Sequence, residues 1–440
     1  MSINQYTVAF HTLGCKVNHH DSDIMAALFQ DAGYAVVDFG ELADVYVINT
    51  CTVTHLSDRK SRQMIRRAAS LNPEATIVVC GCYAQTSPAE LQGLPEVDLI
   101  VGTNERHKVV DAVEIFRENR QKAVYLPDDE EMFHFENLPH ERVSGMTRAY
   151  VKIQEGCDQF CTYCVIPYAR GPLRSRSEED TLEEIRQLVE KGYKEVILTG
   201  IHIGAYGKGV KDNTGDLTHL CKRIIAETDI QCLRLGSVEV TEITDEMIDL
   251  IQNEPRMAQQ LHLPLQSGCD ATLKRMNRPY TTGDFREQMR NIRGKMPHIA
   301  ITTDLMVGFP GETDEEFRES LIFANDIAFS GMHIFKYSIR GGTPAAEMTN
   351  QVDPKIKDKR AKQMADVASK NKRDYEERFI GQTVAVLLEE KIDDNKWVGH
   401  TSNYLYVTVQ GENLASGDFV DAYLTNTDGN RLIGEIKKEQ

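Results

Sequence analysis

Between Glu155 and Cys164 the chain reads Glu-Gly-Cys-Asp-Gln-Phe-Cys-Thr-Tyr-Cys, which sets Cys157, Cys161 and Cys164 in a C-x3-C-x2-C run. Whatever forms around this run must let the three sulfurs converge. A disulfide framework is disfavoured, because the chain is long and no signal-peptide pattern precedes the run. Soft thiolates at this density select either zinc or an iron–sulfur cluster. No fourth cysteine or histidine follows within the next few residues. A structural site closes its coordination shell, so an incomplete set suggests a cubane cluster with one iron left open for a substrate or cofactor. The competing reading is a zinc knuckle without its fourth ligand.

The 440 residues suggest two or three domains, and 41% hydrophobic residues are enough for real cores. No apolar run reaches membrane-spanning length, and the N-terminus lacks a basic-then-apolar pattern, so a soluble, cytoplasmic protein without membrane partners is expected. Ten cysteines in such a reducing compartment point to metal or catalysis. The net charge of −17 favours solubility but opposes nucleic acid, so any such partner requires a local basic patch.

Residues 1–118 alternate strand and helix patterns. Strands are expected at Tyr6–Leu13, Val45–Asn49, Thr76–Val79 and Asp98–Val101, with a weaker one at Ala35–Phe39; helices are expected at Asp21–Ala32, Ser57–Leu71 and about Glu105–Glu118. This order implies an α/β domain with a doubly wound parallel sheet. Cys15, Cys51 and Cys82 each fall just past the carboxyl end of a strand, and those ends share one rim where ligands bind. Three cysteines distant in sequence are therefore expected to meet there as a second open-iron cluster. Alternation puts Cys80 and Cys82 on one side, so spacing alone does not choose between them. Cys82 lies beyond the strand after a turn-permitting glycine and is the preferred ligand, with Cys80 packed inside.

Residues 119–148 are charged and aperiodic, and read as a linker. From 149 to 371 a second strand–helix series begins, with strands at Ala149–Gln154, Glu195–Leu198, Cys232–Leu235, Gln260–Leu263, Ala300–Val307 and Met332–Tyr337. Six β/α units suggest a partial TIM-like (β/α)6 barrel whose functional segments gather at the carboxyl rim. Residues 372–440 carry short strands between Gly, Asn and Asp turns, the pattern of a small β-barrel. Cys221, Cys232 and Cys269 have no matching partners and are assigned to packing.

The motifs Leu13-Gly-Cys…Asn18, Asn49-Thr-Cys51 and Gly81-Cys-Tyr-Ala-Gln85, followed by Cys157, Cys161 and Cys164, resemble the radical SAM methylthiotransferase family along essentially the whole chain. His11–Asn18, Gln154–Cys157 and Ala169–Ser175 look most like the group that methylthiolates C2 of N6-threonylcarbamoyladenosine beside the anticodon of tRNA. The resemblance implies two [4Fe-4S] clusters, one on each trio, and two molecules of S-adenosylmethionine. One cluster cleaves S-adenosylmethionine to a 5′-deoxyadenosyl radical, and the other supplies sulfur. It also implies a TRAM-like C-terminal barrel, a flavodoxin- or ferredoxin-like reductant and a sulfur donor. By resemblance Tyr163, Gly200, Glu239, Gln266 and Gly308 border S-adenosylmethionine. No side chain of the chain itself is assigned as the catalytic group, because the cofactors carry the chemistry.

The C-terminal barrel is acidic, which puts RNA binding by that domain alone in doubt. The best basic patch is the helix after Cys51, where Arg59, Arg62 and Arg66 share one face; Arg170, Arg174, Arg176, Lys274, Arg275 and Arg278 extend it. Rival readings are the same chemistry on isopentenyladenosine or unmodified adenosine in tRNA or on a ribosomal-protein aspartate, a two-cluster electron-transfer protein, and a zinc-stabilised RNA-binding protein.

Overall fold

The computed structural model describes residues 5–52, 55–128, 130–138, 147–208 and 215–437. In the first unit, strands β1 (Thr7–Thr12), β2 (Ala35–Val37), β3 (Val45–Thr50), β4 (Thr76–Gly81), β5 (Leu99–Val101) and β6 (Ala123–Tyr125) form a parallel sheet ordered β2-β1-β3-β4-β5-β6. β3 and β4 are buried at every position, as a sheet covered on both faces requires. Met25 and Phe29 of the helix Lys16–Asp31 cover one face together with Val109, Val113 and Phe116. Ile65 and Ala68 of the helix His55–Leu71 cover the other. The doubly wound sheet is the one the sequence predicts, with one addition. Ala123–Tyr125 pairs with β5, so the stretch read as a linker begins by adding an edge strand. Residues 129 and 139–146 of that stretch lie outside the described residues.

Six parallel strands follow, at Arg148–Lys152, Glu195–Thr199, Cys232–Leu235, Gln260–His262, Ala300–Val307 and Gly331–Lys336. They form two three-stranded sheets, joined by bridges from Leu233 to Met257 and from Ser237 to His262. The result is the expected partial barrel. Alternate residues such as Ala149, Val151, Val196, Leu198, Leu233, Ile301 and Leu305 pack outward against helices. Their neighbours Tyr150, Lys152, Arg234, His262 and Asp304 therefore face the lumen. The helix Lys16–Asp31 packs beside Arg148–Lys152 at the open side, where His20 Nδ1 lies 3.1 Å from the Tyr150 carbonyl.

The helix Pro354–Glu376 runs on past the expected domain boundary at 371/372. It leads to the strands Thr383–Asp393, Lys396–Thr401, Tyr406–Gln410, Phe419–Thr427 and Leu432–Ile436, which close into a barrel. The last strand carries no strong alternation and is not evident in the sequence; it pairs with two others and completes the closure. This barrel packs against the amino-terminal end of the larger one. Arg148 pairs with Glu389, Arg234 donates to the Ser402 and Thr401 carbonyls at 2.9 and 3.3 Å, and its guanidinium lies 4.8 Å from the Tyr404 ring centroid.

Two glycines fix the cysteine-bearing turns. Gly81 has φ +89° and ψ −162°, a conformation essentially confined to glycine, and an added Cβ would lie 2.5 Å from the Thr50 carbonyl oxygen. Gly156, at φ +78°, would drive a Cβ into the Pro172 carbonyl. Gly81→Ala is expected to cost about 2 kcal/mol or more and to displace Cys82. Thermal unfolding and iron bound per chain would check this, and wild-type values in both would show that the turn accepts a side chain.

Candidate metal centre

Parallel register assembles the first trio. Thr12 is level with Asn49, and Thr50 is level with Gly81, so the residues after β1, β3 and β4 emerge at one rim. A Cβ on Gly14 would meet the Cys51 Cβ at 2.8 Å and its sulfur at 3.1 Å, which places the Cys15 turn against Cys51. Asn18 Nδ2 ties the turn down by donating to the carbonyls of Leu13 and Thr50, at 2.8 and 3.0 Å. Burial pushes the Cys82 thiol up to about 11; the Arg170 cation opposes this, and Cys15 and Cys51 add to it by their charge. The three sulfurs thus share one electrostatic environment. Cys80 is packed in the sheet core with Val8 and Val47, its thiol directed at the Ile48 carbonyl.

The second trio occupies the loop after Arg148–Lys152. Cys161 is buried and Cys157 and Cys164 are half-buried. Burial pushes Cys164 up to about 12, relieved in part by the Ile166 backbone N–H. Arg278 Nη1 donates to the Cys161 sulfur at 3.2 Å, while Nη2 pairs with Glu239. His202, following the strand Glu195–Thr199, lies 2.9 Å from Glu242. Desolvation lowers its pKa, but hydrogen bonds with Cys157 and Glu242 prevail and raise it to about 10. His202 belongs to a strand-end motif visible in the sequence, yet only the fold brings it to Cys157.

Between the trios lies a buried knot of charge. Arg106, Lys152, Arg170 and Arg174 face Asp21, Glu136 and Glu155, four cations against three carboxylates. The excess is directed at sulfur, since Arg170 Nε lies 3.3 Å from Cys82 Sγ. Arg170 also reaches Asp21 at 2.9 Å and Asn18 at 2.6 Å in the first domain, and Glu155 beside the second trio. A surplus buried cation favours an anionic, thiolate-bound group over neutral thiols. Among the described residues, the one group of three His, Cys, Asp or Glu whose ligand atoms lie mutually within 4.8 Å is His262, Asp304 and His333, so neither trio meets that spacing. Zinc–sulfur bonds of about 2.3 Å demand closer sulfurs, whereas a cubane spreads its thiolates over separate irons. Both donor sets fit a cluster.

The basic patch needs correction. Arg170 is fully buried, Arg174 donates to the Met132 and Arg170 carbonyls, Arg176 pairs with Glu184, Arg275 with Glu316 and Arg278 with Glu239. These are internal counter-ions. On the helix after Cys51, Arg62 bonds Tyr83 and Glu90 at 2.7 and 2.9 Å and Arg66 lies 4.0 Å from Glu96, while Arg59 is exposed. Of the expected cofactor-bordering residues, Tyr163 and Gln266 line a lumen cavity of about 180 Å³ with Cys164 and Asp304. Glu239 is held by Arg278, Gly200 packs on the Gln154 carbonyl, and Gly308 packs against Lys357.

Three family descriptions match the chain: Uncharacterized protein family UPF0004 over residues 7–102, Radical SAM superfamily over 151–324 and TRAM domain over 377–437. The chain is 43% identical to the threonylcarbamoyladenosine tRNA methylthiotransferase MtaB of Bacillus subtilis, over 94% of this chain and 92% of that one. It is 35% identical to a tRNA-2-methylthio-N(6)-dimethylallyladenosine synthase of Staphylococcus haemolyticus, over 98% and 85%. The radical S-adenosylmethionine methyltransferase TsrM of Kitasatospora setae shares the fold at TM-score 0.56 and 17% identity, over 78% and 77% of the two chains. Fold and site together define a radical SAM enzyme carrying an additional cysteine-bearing α/β domain. The chain belongs to the tRNA methylthiotransferase family of these enzymes. Among its described residues no helix is long and apolar enough to cross a membrane.

Burial alone would raise the Asp21 carboxyl, but Arg106, Lys152 and Arg170 outweigh it and hold it below the usual carboxylate range; Glu155 behaves likewise. Their contribution to stability is therefore present above about pH 4 and lost as pH falls through the lowered folded-state values. Asp21→Asn is expected to cost about 3–5 kcal/mol by leaving buried cations unmatched. Urea unfolding at neutral pH checks this.

Proposed function

We propose that the protein attaches a methylthio group to C2 of N6-threonylcarbamoyladenosine next to the anticodon of tRNA. Cys15, Cys51 and Cys82 hold one [4Fe-4S] cluster, and Cys157, Cys161 and Cys164 hold a second. The observation that carries this reading is the pairing of two sulfur trios across one interface, with Arg170, six residues beyond Cys164, donating to Cys82. The greater identity to the threonylcarbamoyladenosine enzyme than to the dimethylallyladenosine synthase supports this substrate over its nearest rival.

The adenine C2–H is neither acidic nor electrophilic, so acid–base groups alone cannot replace it with sulfur. When bound, the two clusters and two molecules of S-adenosylmethionine supply hydrogen abstraction and a methylated sulfur. The chain supplies position, charge and exclusion of water. Cys157, Cys161 and Cys164 would hold the cluster that takes S-adenosylmethionine, and by resemblance Tyr163, Gly200, Glu239, Gln266 and Gly308 would border it; Tyr163 and Gln266 line the cavity beside Cys164. Arg278 couples the two parts of this site, since one guanidinium nitrogen donates to Cys161 and another holds Glu239. Arg170 and Asn18 tie the first trio to the domain that carries the second. A flavodoxin- or ferredoxin-like protein supplies electrons, and a separate donor supplies sulfur.

The test is anaerobic reconstitution with S-adenosylmethionine and threonylcarbamoylated tRNA, following deoxyadenosine and the modified nucleoside. Cys157→Ala is expected to abolish deoxyadenosine formation. Cys51→Ala is expected to keep it and to lose methylthiolation; product from that variant would remove the first trio from sulfur delivery. For tRNA affinity, Arg59→Glu is expected to flatten the salt dependence by about one unit of slope, as loss of one phosphate contact does. An unchanged slope would take this helix out of the RNA interface.

A further inference from the structure

We propose that Lys16 is the group that reads the carboxylate of the N6-threonylcarbamoyl substituent, and so sets the choice of nucleoside. This rests on the threonylcarbamoyladenosine reading above.

Lys16 directly follows Cys15 and opens the helix that packs beside Arg148–Lys152. Its Nζ lies 5.6 Å from the Tyr150 ring centroid, above a residue that faces the barrel lumen. The side chain is accessible to water. The charged groups that face it are Arg234, Arg148, Glu195 and Asp304.

The lumen carboxylates in range are already engaged. Glu195 pairs with Arg148 at 3.1 Å and with Arg234 at 2.6 Å, and Asp304 faces His262 at 3.4 Å. Among the described residues Lys16 has no carboxylate within ion-pairing distance. An ammonium over a lumen-facing ring without an anion is poised to take one from a ligand. Its place fits the base: Lys16 stands beside Cys15 of the first trio, and Asp304, within its field, lines the cavity shared with Cys164 of the second. A base held between the trios brings its N6 substituent to this wall. The threonylcarbamoyl group ends in one carboxylate, whereas a dimethylallyl group offers no charge to read.

The experiment uses anaerobically reconstituted holoenzyme and a labelled anticodon stem-loop carrying threonylcarbamoyladenosine or its methyl ester. Binding is followed by anisotropy at fixed salt, and iron per chain is measured for every variant. Wild type is expected to bind the acid about ten- to a hundredfold tighter than the ester, the scale of one charge-assisted hydrogen bond. Lys16→Met is expected to bind the two alike, and Lys16→Arg to restore most of the preference. Lys16→Gln, which keeps a polar chain beside Cys15, is expected to behave like Lys16→Met. A wild type indifferent to esterification would overturn the proposal, as would neutral variants that keep the preference. Equal weakening of acid and ester by Lys16→Met, with the preference intact, would assign Lys16 to an RNA phosphate and overturn it too. The nucleoside assignment is checked separately by methylthiolated product from the acid stem-loop; its absence alongside an intact, Lys16-dependent preference would sink that assignment alone.

Discussion

The arrangement of the whole molecule depends on Arg170. Its guanidinium has no access to solvent, and it holds Asp21 and Asn18 from one domain, Glu155 from the next and the sulfur of Cys82. Stranding one partner of such a group is costly, because an unmatched buried charge has nowhere to be solvated. Together with the Lys152–Asp21 and Arg106–Glu155 pairs, Arg170 ties the two domains together. A rigid, directional fork fixes the two cysteine trios relative to one another better than an apolar contact would.

Each trio carries an arginine on one of its sulfurs, Arg170 on Cys82 and Arg278 on Cys161. Burial by itself keeps these thiols protonated. The guanidinium offsets that tendency at one sulfur of each set, and a bound metal removes the remaining protons. Hydrogen bonds to sulfur are also among the levers that set the potential of iron–sulfur centres.

The fold was legible in the sequence because period and punctuation agree: buried β-branched strands ending in Gly-Cys or Thr-Cys, then amphipathic helices. Cys80 and Cys82 illustrate the limit. Spacing leaves them equivalent, and only the unusual backbone at Gly81 turns one out to the rim while the other stays in the core. The arginines after Cys164 show a different limit. A run of positive charge reads as a surface, but Arg170, Arg174 and Arg176 are matched by Asp21, Glu155 and Glu184, which lie up to 149 residues away. Long-range charge pairing leaves no local periodicity. The edge strand Ala123–Tyr125 and the closing strand Leu432–Ile436 are short and owe their form to neighbours rather than to their own pattern.

The small C-terminal barrel stoppers the lower mouth of the large one, with Tyr404 set beneath Arg148 and Arg234. The lumen is consequently a flask rather than a pipe. A ligand that enters the lumen by the cysteine-bearing rim meets this floor at the far end.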